Sequence, residues 1–214
     1  MRWDNLFDDL EGQLERELTA EESDLRAEEE RHRLGRLTLR SRLMVLSLGP
    51  AGPAAIRVVL ATGNTVVVRA TTFGRDWFAA DLFTADLSDV ERPTGLHADR
   101  ARRTAQCVVP LASIAGLALT ADQVDRSLGP EIESPSAARL SDRIGLSFVL
   151  RDLCRRRAGI ELHTRTGLLT GTIDRVGRDH LDLAVHPPGT LRRTPAVEHY
   201  RVVPLEQVAF IKLT

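Results

Sequence analysis

The sequence predicts an α+β protein, mainly β, built as two small units in tandem behind a charged helical arm. Three observations carry that prediction. The first is a duplication. Thr62-Gly63 is followed by Gly74-Arg75-Asp76, then Val109-Pro110-Leu111 and Ile114; Thr166-Gly167 is followed by Gly177-Arg178-Asp179, then Val203-Pro204-Leu205 and Val208. The second is the apolar alternation with a period of two that fills the gaps in both copies, the spacing of a strand with one face on a core. The third is a helical segment ahead of each copy, marked by Leu37-Thr38 and Arg40 in one and by Leu140-Ser141 and Arg143 in the other. Two copies at this spacing make two similar domains, because a solenoid needs more repeats of shorter period. The expected layout is an arm over 1–36, a first unit over 37–120, a linker over 121–138 and a second unit over 139–214.

In the arm, Trp3, Phe7, Leu10 and Leu14 recur at spacings of four, three and four, and Leu6 widens the stripe. Such a stripe needs cover from its own chain or another, so these five residues are the expected protein contact. Thr19-Ala20-Glu21-Glu22 matches a capping box and predicts a second helix that starts near Ala20 and stops at Gly35. Between those limits only Leu25 and Leu34 are large and apolar, the composition of a solvated helix.

Thr38 predicts the cap of a short helix over 39–48, closed by Gly49-Pro50; its counterpart is expected over 142–157, ending at Gly159. Strands follow. Ile56, Val58 and Leu60 alternate in the first copy, as Ile160 and Leu162 do in the second. Turns at Thr62-Gly63-Asn64 and Thr166-Gly167 lead to second strands over 65–72 and 168–175. After the Gly-Arg-Asp turns, Phe78, Ala80 and Leu82 match Leu181, Leu183 and Val185 on the inward face of a third strand. The next loop is nine residues longer in the first copy and Arg-rich between Ser88 and Arg103. Both copies close with a fourth strand into Val-Val-Pro-Leu, a one-turn bend and a short fifth strand. Residues 121–139 hold Gly129-Pro130 and Ser134-Pro135, the composition of a linker.

Composition narrows the function classes. Hydrophobic residues make up 43% and aromatics only 4%, so Val, Leu, Ala and Ile must build the cores. Residues 1–33 carry net −7 and the remainder net +6, a basic body with an acidic arm. Lys212 is the only lysine, a skew that a G+C-rich genome produces. Cys107 and Cys154 make no disulfide framework and no CxxC pair. No signal core precedes the acidic start, and no run reaches the ~18 apolar residues of a membrane span. The expectation is a soluble, cytoplasmic protein with no membrane contact.

Candidate chemistry is sparse. His180, His186 and His199 fall in the second copy without a Cys or carboxylate at ligand spacing, so no metal site is expected. Cys107 and Cys154 sit among apolar residues as core thiols. Asp76 and Asp179 lie in turns, where Asp bonds to backbone amides. No phosphate loop, dinucleotide fingerprint or nucleophile elbow is present, so neither catalysis nor a cofactor is expected. The strongest basic feature is Arg151, Arg155, Arg156 and Arg157 near the end of the second copy's helix. With Arg165, Arg175, Arg178, Arg192 and Arg193 they form a candidate phosphate-binding face. The alternative is that the helix-terminal cations only complement the helix dipole. Trp77-Phe78 is the only adjacent aromatic pair.

A helix followed by five short strands resembles the Sm-like barrel of Sm and Hfq proteins. In the second copy the turn glycine, Gly171 in the second strand, and Asp179 leading into Val185 are similar to the first Sm motif. The "Val-Pro-Leu, then apolar" ending is shared with PRC and other SH3-like barrels. The chain as a whole resembles an uncharacterised family of actinobacterial proteins. The resemblance implies two tandem five-stranded Sm/SH3-like barrels. It does not carry over the uridine pocket: the third-strand Asn position falls on Asp182 and Ala79, and Val-Val-Pro-Leu replaces the Arg-Gly pair. The expected function is a non-enzymatic binding or scaffolding protein that acts through protein contacts or self-association. The alternative is an Arg-dependent, weakly sequence-selective binder of RNA or DNA.

Overall fold

A computed structural model of the chain describes residues 3–49, 52–83, 103–129, 140–190 and 196–214, and their side chains except over 3–12, 103–104 and 140–141. The chain divides into two units, residues 1–41 and 42–214.

The first unit is dominated by α1, Trp3–Arg36, one helix of 34 residues that spans about 50 Å at 1.5 Å per residue. The helix break expected at Thr19 is absent. The Thr19 hydroxyl donates to the Glu15 carbonyl at 2.7 Å, one turn back, so it serves the helix interior and caps nothing. Ion pairs between Glu22 and Arg26, Glu28 and Arg31, and Glu30 and Arg33 run along the surface. Pairs at these spacings suit a helix without packed neighbours. Next comes α2, Leu39–Leu48, capped as expected: the Ser41 amide donates to Thr38 Oγ1 at 3.0 Å.

The described residues of the second unit hold ten strands: β1 Ile56–Leu60, β2 Thr65–Phe73, β3 Trp77–Phe83, β4 Arg103–Pro110, β5 Ile114–Ala118, β6 Gly159–Thr164, β7 Gly167–Val176, β8 His180–Val185, β9 His199–Pro204 and β10 Val208–Leu213. Among the described residues between β5 and β6 lie three helices, α3 Ala121–Ser127, α4 Leu140–Arg143 and α5 Leu146–Arg156. All ten strands form one antiparallel sheet in the order β5-β1-β2-β3-β4-β10-β6-β7-β8-β9. Each half follows the same plan, with its last strand beside its first. The turns match too. Leu111 N donates to Asp76 O at 2.9 Å and Leu205 N to Asp179 O at 2.7 Å. In both halves the last strand shifts register against the first, at Val59/Leu60 and at Val208/Phe210.

The expectation of two closed barrels is corrected here. The sheet is open, and β4 pairs with β10 so that the halves share one sheet. A five-stranded sheet ends in two rows of unpaired amides and carbonyls, and the inner ends of these halves satisfy each other. The cores cross at this seam. Ala209 and Phe210 from β10 pack among Leu43, Leu46, Ile56, Val58, Phe78 and Val109 of the first half. Trp77 and Val108 pack among Leu150, Ile160, Leu162, Leu183 and Ile211 of the second.

Two helix boundaries also differ from expectation. The helix expected over 142–157 is interrupted at Ile144-Gly145, because the Gly74-Arg75-Asp76-Trp77 turn grips that point. Arg75 N and Trp77 Nε1 donate to the Ile144 carbonyl at 3.0 and 2.9 Å, and Asp76 Oδ1 accepts from Leu146 N at 2.8 Å. The helix then ends at Arg157, in the left-handed region at φ 50°, and not at Gly159. The expected linker opens with a helix, α3, because Thr120 and Gln123 form a capping box. Gly171 is required by packing, since a Cβ there would lie 2.1 Å from the Ala184 carbonyl oxygen.

Candidate protein-contact surface

The sheet has two outer ends, and they are chemically unequal to the inner ones. At the seam, Val108 lies opposite Ile211 and is 5% exposed. Ser113 Oγ, in the bend after β4, donates across the seam to the Ala209 carbonyl at 2.6 Å. At the far end, β9 carries the same Val-Val-Pro, and Val203 packs into its own core exactly as its place in the alternation requires, like Val109.

Val202, at the place of Val108, faces the other way and is 64% exposed; Tyr200, two residues earlier, is 57% exposed. Successive even positions share one strand face, so the two form a single apolar strip. Among the described strands β9 has one neighbour, β8, and β5 has one neighbour, β1. Each therefore presents an open backbone edge. The sequence reading missed this strip. Its signal is apolar side chains on both faces of Tyr200–Val203, in a strand whose order in the sheet is not a local property.

The expected contact stripe on the arm lies within α1. The side chains of Trp3, Leu6, Phe7 and Leu10 fall outside the described residues, and Leu14 is 56% exposed.

The arginine face is only partly assembled. Cys154 Sγ donates to the Asp174 carbonyl at 3.2 Å, which sets the last turn of α5 beside the part of β7 that carries Arg175. Arg155 and Arg156 both bind the carboxylate of Asp152, at 2.5 and 2.6 Å, so two of the expected phosphate ligands share an internal counterion. The Arg155 hydrogen bond, opposed by some desolvation, holds that carboxyl below its usual range. Arg175 sits 4.0 Å from Asp182. Arg151, Arg157 and Arg178 are exposed, and Arg192 and Arg193 lie outside the described residues. Of the adjacent aromatic pair, Phe78 is buried in the first core and Trp77 in the second, whereas Phe148 stands exposed on α5, three residues before Arg151.

The remaining candidates have structural duties. His186 is buried, and its Nε2 meets Thr172 Oγ1 at 2.9 Å beside a notch of about 200 Å³ bordered by Arg157 and Thr190. His180 pairs with Asp179 at 2.8 Å, a hydrogen bond that lowers the Asp179 pKa. Burial pushes the Cys107 thiol up to about 12, which removes the thiolate that nucleophilic chemistry needs. No helix of the described residues is long and apolar enough to cross a membrane. No family model, curated protein or solved structure matches the chain.

Proposed function

We propose that the chain is a non-enzymatic binding and scaffolding protein that works through protein–protein contacts in the cytoplasm, built on two Sm-like or SH3-like units in tandem. One observation carries this reading: Val202 and Tyr200 stand exposed on an open strand edge, whereas Val108 at the same place in β4 is covered. An edge strand with an apolar face recruits another strand, because added main-chain hydrogen bonds and side-chain burial act together. The shared strand order of the halves supports the Sm-like assignment as an architecture. Architecture alone names no ligand.

The second reading is an Arg-dependent binder of RNA or DNA, favoured by the exposed guanidiniums of Arg151, Arg157 and Arg178. Asp152 weakens it by occupying Arg155 and Arg156. The deciding experiment retains source-cell extract on the full chain and on Val202→Arg, beside a salt titration against mixed single-stranded RNA. Protein retained by the wild type and lost by Val202→Arg supports the first reading. RNA affinity that falls by about 0.7–0.9 log units per log unit of salt for each phosphate contact, with no protein retained, replaces it by the second.

A further inference from the structure

The seam inside the chain is a template for a contact between chains. It joins the fourth strand of one half to the fifth strand of the next, and it leaves a fourth strand, β9, and a fifth strand, β5, open at opposite ends of the sheet order. We propose that β9 of one copy pairs antiparallel with β5 of a second copy, repeating the β4–β10 junction head to tail. The inference rests on the protein-contact reading and names the partner as this chain itself.

The register follows from the seam. Ile211 and Lys212 lie opposite Val108 and Cys107. Their counterparts put Leu117 opposite Val202 and Ala118 opposite Arg201. At the seam, Val108 leaves its own half and packs into the core of the half that owns β10. In the copy-to-copy contact Val202 does the same for the half that owns β5, where Leu117 already borders the core.

The local chemistry fits. The matching register shift at Val59/Leu60 puts a bulge at Ala115, as the shift in β10 does at Ala209. Gln207, in the bend after β9, stands where Ser113 stands after β4 and carries an amide that can donate to the Ala115 carbonyl as Ser113 does to Ala209. A Cβ at Gly116 would meet nothing within 4 Å, so β5 offers open space at the place of Phe210. Arg201 falls opposite Ala118, whose small side chain leaves room for a long cation. The two edges are different surfaces, so the contact is heterologous: one copy uses β9, the next β5, and assembly proceeds to a closed ring or a chain of copies.

The test measures the mass of the purified full chain by sedimentation, up to about 100 µM because association follows mass action. It compares wild type, Val202→Arg and Leu117→Arg, and it adds an oxidised Leu117→Cys/Val202→Cys chain run without reductant beside the two single-cysteine variants. Opposed residues of an antiparallel pair lie close enough for a disulfide. The expected result is a wild-type mass that is a multiple of 23.7 kDa. Val202→Arg should fall to the single-chain mass with unchanged far-ultraviolet circular dichroism, and a covalent ladder should appear only in the double-cysteine chain. Folding of Leu117→Arg is not required, because Val202 is exposed in the single chain and reports independently. A wild type that stays at the single-chain mass overturns the inference, as does a Val202→Arg chain that keeps the wild-type mass. If a single-chain wild type still captures another protein through Val202, self-association is wrong and the protein-contact reading stands. If nothing is captured and RNA is bound, both fall.

Discussion

The two Val-Val-Pro-Leu strands show how little a strand's own sequence decides about its exposure. In β4, Val108 is 5% exposed because β10 lies against it; in β9, Val202 is 64% exposed because β9 ends the sheet order. The Gly-Arg-Asp turns make the same contrast. Asp76 and Trp77 hold Ile144 and Leu146 at the start of α5, whereas Asp179 bonds the adjacent His180. The residues diverge accordingly. Inner positions carry Trp77, Cys107 and Phe210 where the outer ones carry His180, Arg201 and Gly116. The inner junction is a buried core, whereas the outer edges carry polar or small residues at these three places beside the exposed Tyr200 and Val202.

The largest test of that contrast is Trp77→Ala. It removes a 7% exposed indole from the second core together with its bond to Ile144, at about 3–5 kcal/mol. His180→Ala, at the matching place, should change the urea midpoint far less. If the two cost the same, the seam is not a shared core.

The next effect in size is the cap. Asp76→Ala leaves the Leu146 amide without its acceptor and should cost about 0.5–2 kcal/mol. Asp179→Ala strips a solvated turn only. Equilibrium denaturation of both variants decides between them, and equal losses would mean that the Asp76 bond contributes nothing particular to the seam.

A smaller, pH-dependent effect belongs to His163, whose ring stacks on Phe210 with centroids 3.9 Å apart; Val59 and Gly116 take these places in the first half. Burial holds the His163 pKa below 6.5. The unfolded chain therefore takes up the proton first as pH falls, and its contribution to stability is full above 6.5 and is lost as pH drops through the folded value. Melting curves between neutral and mildly acidic pH should show this decline, and His163→Phe should flatten it.

The least perturbing measurement is alkylation. With its pKa near 12, the Cys107 thiol should stay unmodified in the native protein at mildly alkaline pH and react once urea opens the β4–β10 seam. Labelling of Cys107 in the native state would show that the seam opens readily.

Much of the fold is legible in the sequence because it rests on short-range periodicity. The alternation of Ile56, Val58 and Leu60 and of Ile160 and Leu162 becomes β1 and β6, and Thr38 caps α2 as its spacing implies. Errors cluster where a residue's partner is far away or ambiguous. Thr19 matched a capping box, yet its hydroxyl bonds backward to Glu15. The break at Gly145 depends on Asp76 and Trp77, about seventy positions earlier in the chain. The arginine face was legible as composition, but Asp152, one turn before Arg155 and Arg156, claims both.

By itself the sequence determined the strand periodicity and the charged helical character of the arm, since hydrophobic period and turn glycines are local quantities. Only the tertiary structure decided that the strands of both halves lie in one open sheet. Pairing β4 with β10 requires two edges to meet across about a hundred residues, and nothing in either strand's alternation names its neighbour. The same step decided which Val-Val pair is buried and which is left facing outward.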